Sequence, residues 1–247
     1  MCTFILAWQV FDEAPVVAAA TRDEALDRPS KPPDRYSEDP VVVAPKDAEA
    51  GGTWIGVNED GVLVALTNRW TDAELAGERS RGKLVADALA SESATAAGRL
   101  VEESVADAEY DGFYLAIADA EMATIHAWDG TLDRVDLDPG VHVLNNVGRS
   151  ADPQIPSARE ELGREQAESA VAVQEELVFD TDETAAAWLD RASGVMADHD
   201  YGVCKHGDEF GTRSASLVTI GRSITFEYAD GPPCETPFES IDVESHI

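Results

Sequence analysis

The chain has 247 residues, 44% of them hydrophobic, enough for one large domain with a substantial core. It carries 49 acidic against 18 basic residues, formally −31, which excludes the basic patch that nucleic-acid binding needs. It contains no run of the roughly 18 apolar residues that a spanning helix requires, and no basic stretch ahead of an apolar one as in a signal peptide. Its three cysteines, Cys2, Cys204 and Cys234, are too few for a disulfide framework, so a reducing cytoplasm is expected.

The acids are scattered and do not form a tail, and only four of the basic residues are lysines. That surface fits a halophilic protein, because salt screens the self-repulsion of like charges. The fold is therefore expected to loosen in low salt. Thermal melting should shift upward between dilute and molar KCl, and superimposable curves would refute this reading.

In chain order, Thr3 to Phe11 and Val16 to Ala20 are apolar and rich in β-formers, joined by a turn at Asp12-Glu13-Ala14-Pro15. A turn centred between Asp12 and Glu13 makes cross-strand partners sum to about 25, which sets Cys2 opposite Asp23. A longer turn still leaves Arg22 and Asp23 near Cys2. Cys2 stands directly behind Met1. Once Met1 is removed, one residue would hold both a thiol nucleophile and an α-amine with a pKa of about 8.

Residues 27–45 hold five prolines and are expected to form a Pro-rich surface loop. Thr53–Val57 and Val62–Thr67 predict a second hairpin. The apolar runs are nearly continuous, as in strands covered on both faces. Arg81–Ala90 and Ser93–Ala106 predict two helices, and Phe113–Ala118, Thr124–Trp128 and Thr131–Leu137 a meander. His126, in the middle of it, is read as a satisfied structural residue.

Val141–Leu144 is a further strand, ending at Asn145-Asn146. Pro156–Ala172 predicts a helix, and Asp180–Glu183 is read as capping another that runs to about Ala197. Cys204-Lys205-His206 lacks a second nearby ligand pair, so no metal is expected. Strands follow over Ala215–Ile220 and Ser223–Tyr228, then an irregular tail after Gly231.

Six segments together resemble one family: Met1-Cys2-Thr3-Phe4-Ile5, Ala20-Thr21-Arg22-Asp23-Glu24, Gly51-Gly52-Thr53-Trp54-Ile55-Gly56, Ala65-Leu66-Thr67-Asn68-Arg69, His142-Val143-Leu144-Asn145-Asn146 and Gly211-Thr212-Arg213-Ser214. The chain resembles the NRDE family, also called the Transport and Golgi organisation protein 2 family, named for an Asn-Arg-Asp-Glu motif. Thr21 stands here in place of the Asn. A Pro-Trp-Pro-Lys-like segment usual after Asn146 is also replaced.

The family is similar to N-terminal nucleophile hydrolases of the penicillin V acylase and bile salt hydrolase branch. That resemblance implies an α+β fold, a four-layer αββα sandwich of two mostly antiparallel sheets, as a single domain over residues 1–247. It implies hydrolysis of a non-peptide C–N amide bond in a small or acyl substrate, with no cofactor. Cys2 would be the nucleophile, Arg22 and Asp23 would set its charge state, Asn68 and Asn146 would hold the oxyanion, and Arg213 would order the cluster. The alternative is a non-enzymatic carrier of haem or another hydrophobic metabolite. For haem the sequence offers no Cys-x-x-Cys-His run and only five histidines. Oligomeric state is not fixed.

Overall fold

The structure is a computed structural model, and residues 2–243 are described. The strands run β1 Phe4–Phe11, β2 Ala14–Ala25, β3 Ser30–Glu38, β4 Val41–Asp47, β5 Ile55–Asn58 and β6 Leu63–Asn68. Helices α1 Arg81–Ala88 and α2 Ala94–Asp107 follow, then β7 Phe113–Ala118, β8 Ala123–Trp128, β9 Leu132–Asp136, β10 Gly140–Asn145, β11 Gly148–Arg149 and β12 Asp152–Pro153. The chain ends with α3 Glu160–Glu176, α4 Ala185–Ala197, β13 Phe210–Ile220, β14 Ile224–Ala229 and β15 Glu239–Ile241. No described helix is long and apolar enough to cross a membrane.

Two compact units emerge. The first joins the chain up to Arg28 with Pro139–Ile241. Its eight-stranded antiparallel sheet has the order β12-β11-β10-β1-β2-β13-β14-β15, and α3 and α4 pack on it. Ile5, Ala7, Val17, Ala19, Val143 and Leu217 share one face and bury against Trp188, Ala192 and Met196 of α4 and Ala170 and Val173 of α3. The alternate residues Phe4, Leu6, Val16 and Ala18 are buried too, which is why these strands read as continuous apolar runs. Trp188 is fully buried, and its indole N–H donates to the Leu177 carbonyl at 2.9 Å.

The second unit, Pro29–Asp138 with Asp242 and Val243, carries a seven-stranded antiparallel sheet in the order β3-β4-β5-β6-β7-β8-β9. Leu84, Val85, Ala97 and Val101 of α1 and α2 bury against Val64, Phe113, Leu115 and Ile117. Each unit is thus helices on an antiparallel sheet, the α+β class expected.

Four expectations need correction. The Pro-rich stretch is not a loop, because β3 and β4 pair over most of it. β3 is the sheet edge, and Pro32-Pro33 occupy the bulge between Lys31 and Asp34, where a missing N–H costs no ladder bond. The cap of α4 is Thr184, whose hydroxyl accepts from Ala187 N at 3.2 Å, because the turn at 180–183 delays the helix. The tail after Gly231 supplies β15, which pairs with β14 over Phe226↔Ile241. His126 is fully buried under Gly98, and among the described residues neither ring nitrogen has a hydrogen-bond partner.

Candidate active site

The hairpin register explains where Cys2 lies. Next to the turn, Phe11 faces Ala14, as a turn centred between Asp12 and Glu13 requires. The register then slips: Trp8 faces Val16, and Phe4 faces Ala20. The extra residue is absorbed on β1 around Gln9, which adopts a left-handed φ of 50°. Partners therefore sum to 24, and Thr21 N donates to Thr3 O at 2.9 Å. This corrects the expected pairing, since Arg22 and not Asp23 falls opposite Cys2.

On its other side β1 pairs with β10, with Phe4 facing Leu144. Continued by two residues, that register brings Asn146 level with Cys2. Beyond β2, strand β13 sets Thr212 opposite Asp23 and Ser214 opposite Arg22, with Arg213 as the bulged residue between them. The motifs of four chain segments thus converge at one end of four adjacent strands.

The contacts follow. The Cys2 backbone nitrogen donates to Asn146 Oδ1 at 3.1 Å, and Cys2 Sγ lies 3.8 Å from the Asp23 carbonyl oxygen. Asn146 accepts with its oxygen, so its remaining polar end is the donor Nδ2, the polarity an oxyanion requires. Arg22, Asp23 and Asn146 are all buried. Arg22 Nη2 lies 3.7 Å from Glu24 Oε2. Burial pushes the Cys2 thiol above its ordinary value, the Asp23 charge acts in the same direction, and the Arg22 guanidinium opposes both. With a peptide bond on its nitrogen, Cys2 is therefore held as the neutral thiol.

Burial also raises the Asp23 carboxyl, while Thr212 counteracts it. The Thr212 hydroxyl donates to Asp23 Oδ1 at 2.6 Å and accepts from Lys205 N at 2.8 Å. Thr212 lies inside a motif picked out in the sequence, but only the register shows its role. Thr212→Val should destabilise the fold by about 1.5–3 kcal/mol, the cost of a hydrogen bond to a charged group. Urea unfolding measures this, and an unchanged midpoint would remove Thr212 from the support of Asp23.

Two predicted residues, Arg213 and Asn68, stand differently. Arg213 is half-buried and its Nη1 donates to the Leu26 carbonyl. Its charge, with that of Arg22, acts on Tyr228, a buried residue that the sequence did not single out. Asn68 closes β6 opposite Phe113 in the second unit and is half-buried. Asn145, the neighbour of Asn146, is a strand terminator. Its Nδ2 donates to Gln166 O at 2.8 Å, and its Oδ1 accepts from Val147 N at 3.1 Å.

The sequence profile of the family described as Transport and Golgi organisation 2 matches residues 1–230. The chain belongs to that family. A Transport and Golgi organization protein 2 homolog from Bos taurus is 28% identical over 239 residues, covering 85% of this chain and 86% of its own length. The Mus musculus homolog is 32% identical over 152 residues, covering 56% of this chain and 55% of its own. With the Homo sapiens homolog, 33% identical over 153 residues, the shared part is likewise 55% of the relative. The chain thus spans about half the length of the mouse and human relatives.

Among solved structures, penicillin V acylase from Agrobacterium tumefaciens superposes with a TM-score of 0.57 at 13% identity, covering 93% of this chain and 83% of its own. A mutant conjugated bile acid hydrolase from Clostridium perfringens gives 0.62 at 11%, covering 100% and 94%. The Caenorhabditis elegans N-acylethanolamine-hydrolyzing acid amidase ortholog gives 0.56 at 13%, covering 87% and 92%. At such identities the likeness is one of fold, and it is the N-terminal-nucleophile-hydrolase fold that the Transport and Golgi organisation 2 resemblance implied.

Proposed function

We propose that this member of the Transport and Golgi organisation 2 family is an N-terminal-cysteine amidohydrolase acting on a linear, non-peptide C–N amide of a small or acyl substrate. The observation that carries it is the setting of Cys2. Its nitrogen is held by Asn146 Oδ1 at 3.1 Å, with Asp23 and Arg22 around its sulfur. Removal of Met1 converts that nitrogen into a free amine already directed at a hydrogen-bond acceptor.

The amine then takes the thiol proton as Sγ attacks the carbonyl carbon, and returns it to the leaving amine as the C–N bond breaks. Water hydrolyses the thioester and regenerates the thiol. Asn146 would donate to the oxyanion. The fold neighbours, an acylase, a conjugated bile acid hydrolase and an acid amidase by name, favour an acyl amide as substrate.

Intact-mass spectrometry in high salt, before and after a thiol-selective electrophile near neutral pH, tests the reading. Loss of Met1 with labelling at Cys2 faster than at Cys204 and Cys234 is expected. Retained Met1 with an inert Cys2 would overturn it.

A further inference from the structure

Away from Cys2, the first unit gathers four soft or borderline ligands from three separate chain segments. His199 opens a single 3-10 turn, His199–Tyr201, directly after α4. Cys204 and His206 follow in the connection to β13, and Cys234 comes from the segment after β14. One ligand atom from each lies within 4.8 Å of all the others. Cys204 Sγ is 3.4 Å from Cys234 Sγ and 3.6 Å from His206 Nε2, and His206 Nε2 is 3.0 Å from Cys234 Sγ. A tetrahedral ion with metal–sulfur bonds of about 2.3 Å and metal–nitrogen bonds of about 2.0 Å sets its donors roughly 3.3–3.8 Å apart. The spacings among Cys204, His206 and Cys234 are close to that geometry, and the His199 nitrogen, within 4.8 Å of the other ligand atoms, reaches it by moving inward by at most about 1 Å.

We propose that His199, Cys204, His206 and Cys234 form a structural zinc site. A closed set of two thiolates and two imidazoles is a tetrahedral donor set selective for Zn²⁺ among divalent ions, with no position left for a substrate. Binding displaces the two thiol protons, so the ion and its thiolates are together neutral. The backbone around the site is built tightly. A Cβ at Gly207 would come within 2.6 Å of the Phe210 carbonyl oxygen, and one at Gly211 within 2.8 Å of the Lys205 carbonyl oxygen. The knuckle also touches the candidate active site. Lys205, between two of the ligands, accepts from Thr212 N at 2.9 Å and donates its own N–H to the hydroxyl that holds Asp23. The ion would thus cross-link the end of α4, the approach to β13 and the segment leading to β15, and would brace Asp23 through Thr212.

The ligand spacing hid the site from the sequence. Cys-x-His gives one close pair, His199 lies before it on another element, and Cys234 arrives 28 positions after His206.

The test uses the full chain in high salt with a phosphine reductant, stripped by a chelator and titrated with Co²⁺ and then Zn²⁺. About one ion per chain is expected, with thiolate-to-cobalt charge-transfer absorption that zinc abolishes and with protons released on binding. Zinc should also raise the melting temperature, as any ligand selective for the native state does. Cys204→Ser and Cys234→Ser should each weaken binding at least about tenfold, the lower end of what loss of a metal-site partner costs. Should either variant fail to fold, alkylation of the wild-type chain decides, because bound zinc must protect Cys204 and Cys234 together. A reduced wild-type chain that develops no thiolate–cobalt band, or whose two cysteines alkylate equally fast with and without zinc, overturns the proposal. Neither outcome depends on whether Cys2 is catalytic.

Discussion

Cys2→Ala is expected to lower kcat/KM for any amide substrate by at least about 10³-fold, since removing a nucleophile removes the covalent route and leaves only binding and oxyanion stabilisation. Cys2→Ser should also be severely impaired, because a hydroxyl is a weaker nucleophile at neutral pH and the adjoining amine must do more work to activate it. Asn146→Ala should lose about 10²–10³-fold in kcat with a smaller effect on KM, the signature of a donor used mainly in the transition state. The measurement is steady-state hydrolysis by Met1-processed protein, with processing verified by mass for each variant. Full turnover by Cys2→Ala would exclude a thioester mechanism. Wild-type kinetics in Asn146→Ala would leave that residue as a positioning group for the amine alone.

The second large effect concerns acid stability and lies in the other unit. His126 is fully buried on β8 and its pKa falls from 6.5 to about 4, mainly by desolvation. Arg134, its cross-strand partner on β9, lowers it further, while Glu102 of α2 and Asp136 of β9 pull it up. The unfolded chain therefore binds a proton that the native state refuses between pH 6.5 and about 4. Stability from this group is intact above pH 6.5 and falls as the pH drops towards 4. The loss reaches about 3 kcal/mol, because each pH unit between the unfolded and folded pKa removes about 1.4 kcal/mol. His126→Leu removes the titration and the two unpartnered ring nitrogens at once. Its stability relative to wild type, from denaturant unfolding at several pH values, should rise by that amount from pH 7 to pH 4. A pH-independent difference would mean that His126 takes up its proton in the native state as readily as in the unfolded chain, and would refute the lowered pKa.

The strands and helices were legible because each followed from local rules. Continuous apolar runs bounded by Asp12-Glu13 and Asn58–Gly61 turns gave the hairpins, and Ala-rich periodic segments gave α1 and α2. The misread segments share a different cause. Pro32-Pro33 are compatible with a strand only because β3 is an edge, and strand order is not a local property. Thr184 caps α4 because the preceding turn displaces its start.

At the candidate site the sequence by itself determined the ingredients: a cysteine behind Met1, an Arg-Asp pair near it across a hairpin, a terminal Asn and a Thr-Arg pair. It also determined the acidic surface and the absence of any long apolar span. Only the tertiary structure decided their pairing. The bulge at Gln9 shifts the register by one residue and brings Arg22 opposite Cys2, and the bulge at Arg213 turns its guanidinium to the Leu26 carbonyl. The same holds for the four metal-ligand candidates. Their distance along the chain is unrelated to their distance in space, because two connections, α4 to β13 and β14 to β15, come together. Side-chain period and turn chemistry act over a few residues and are written in the sequence. Register, bulges and loop convergence are settled by how whole strands and helices pack.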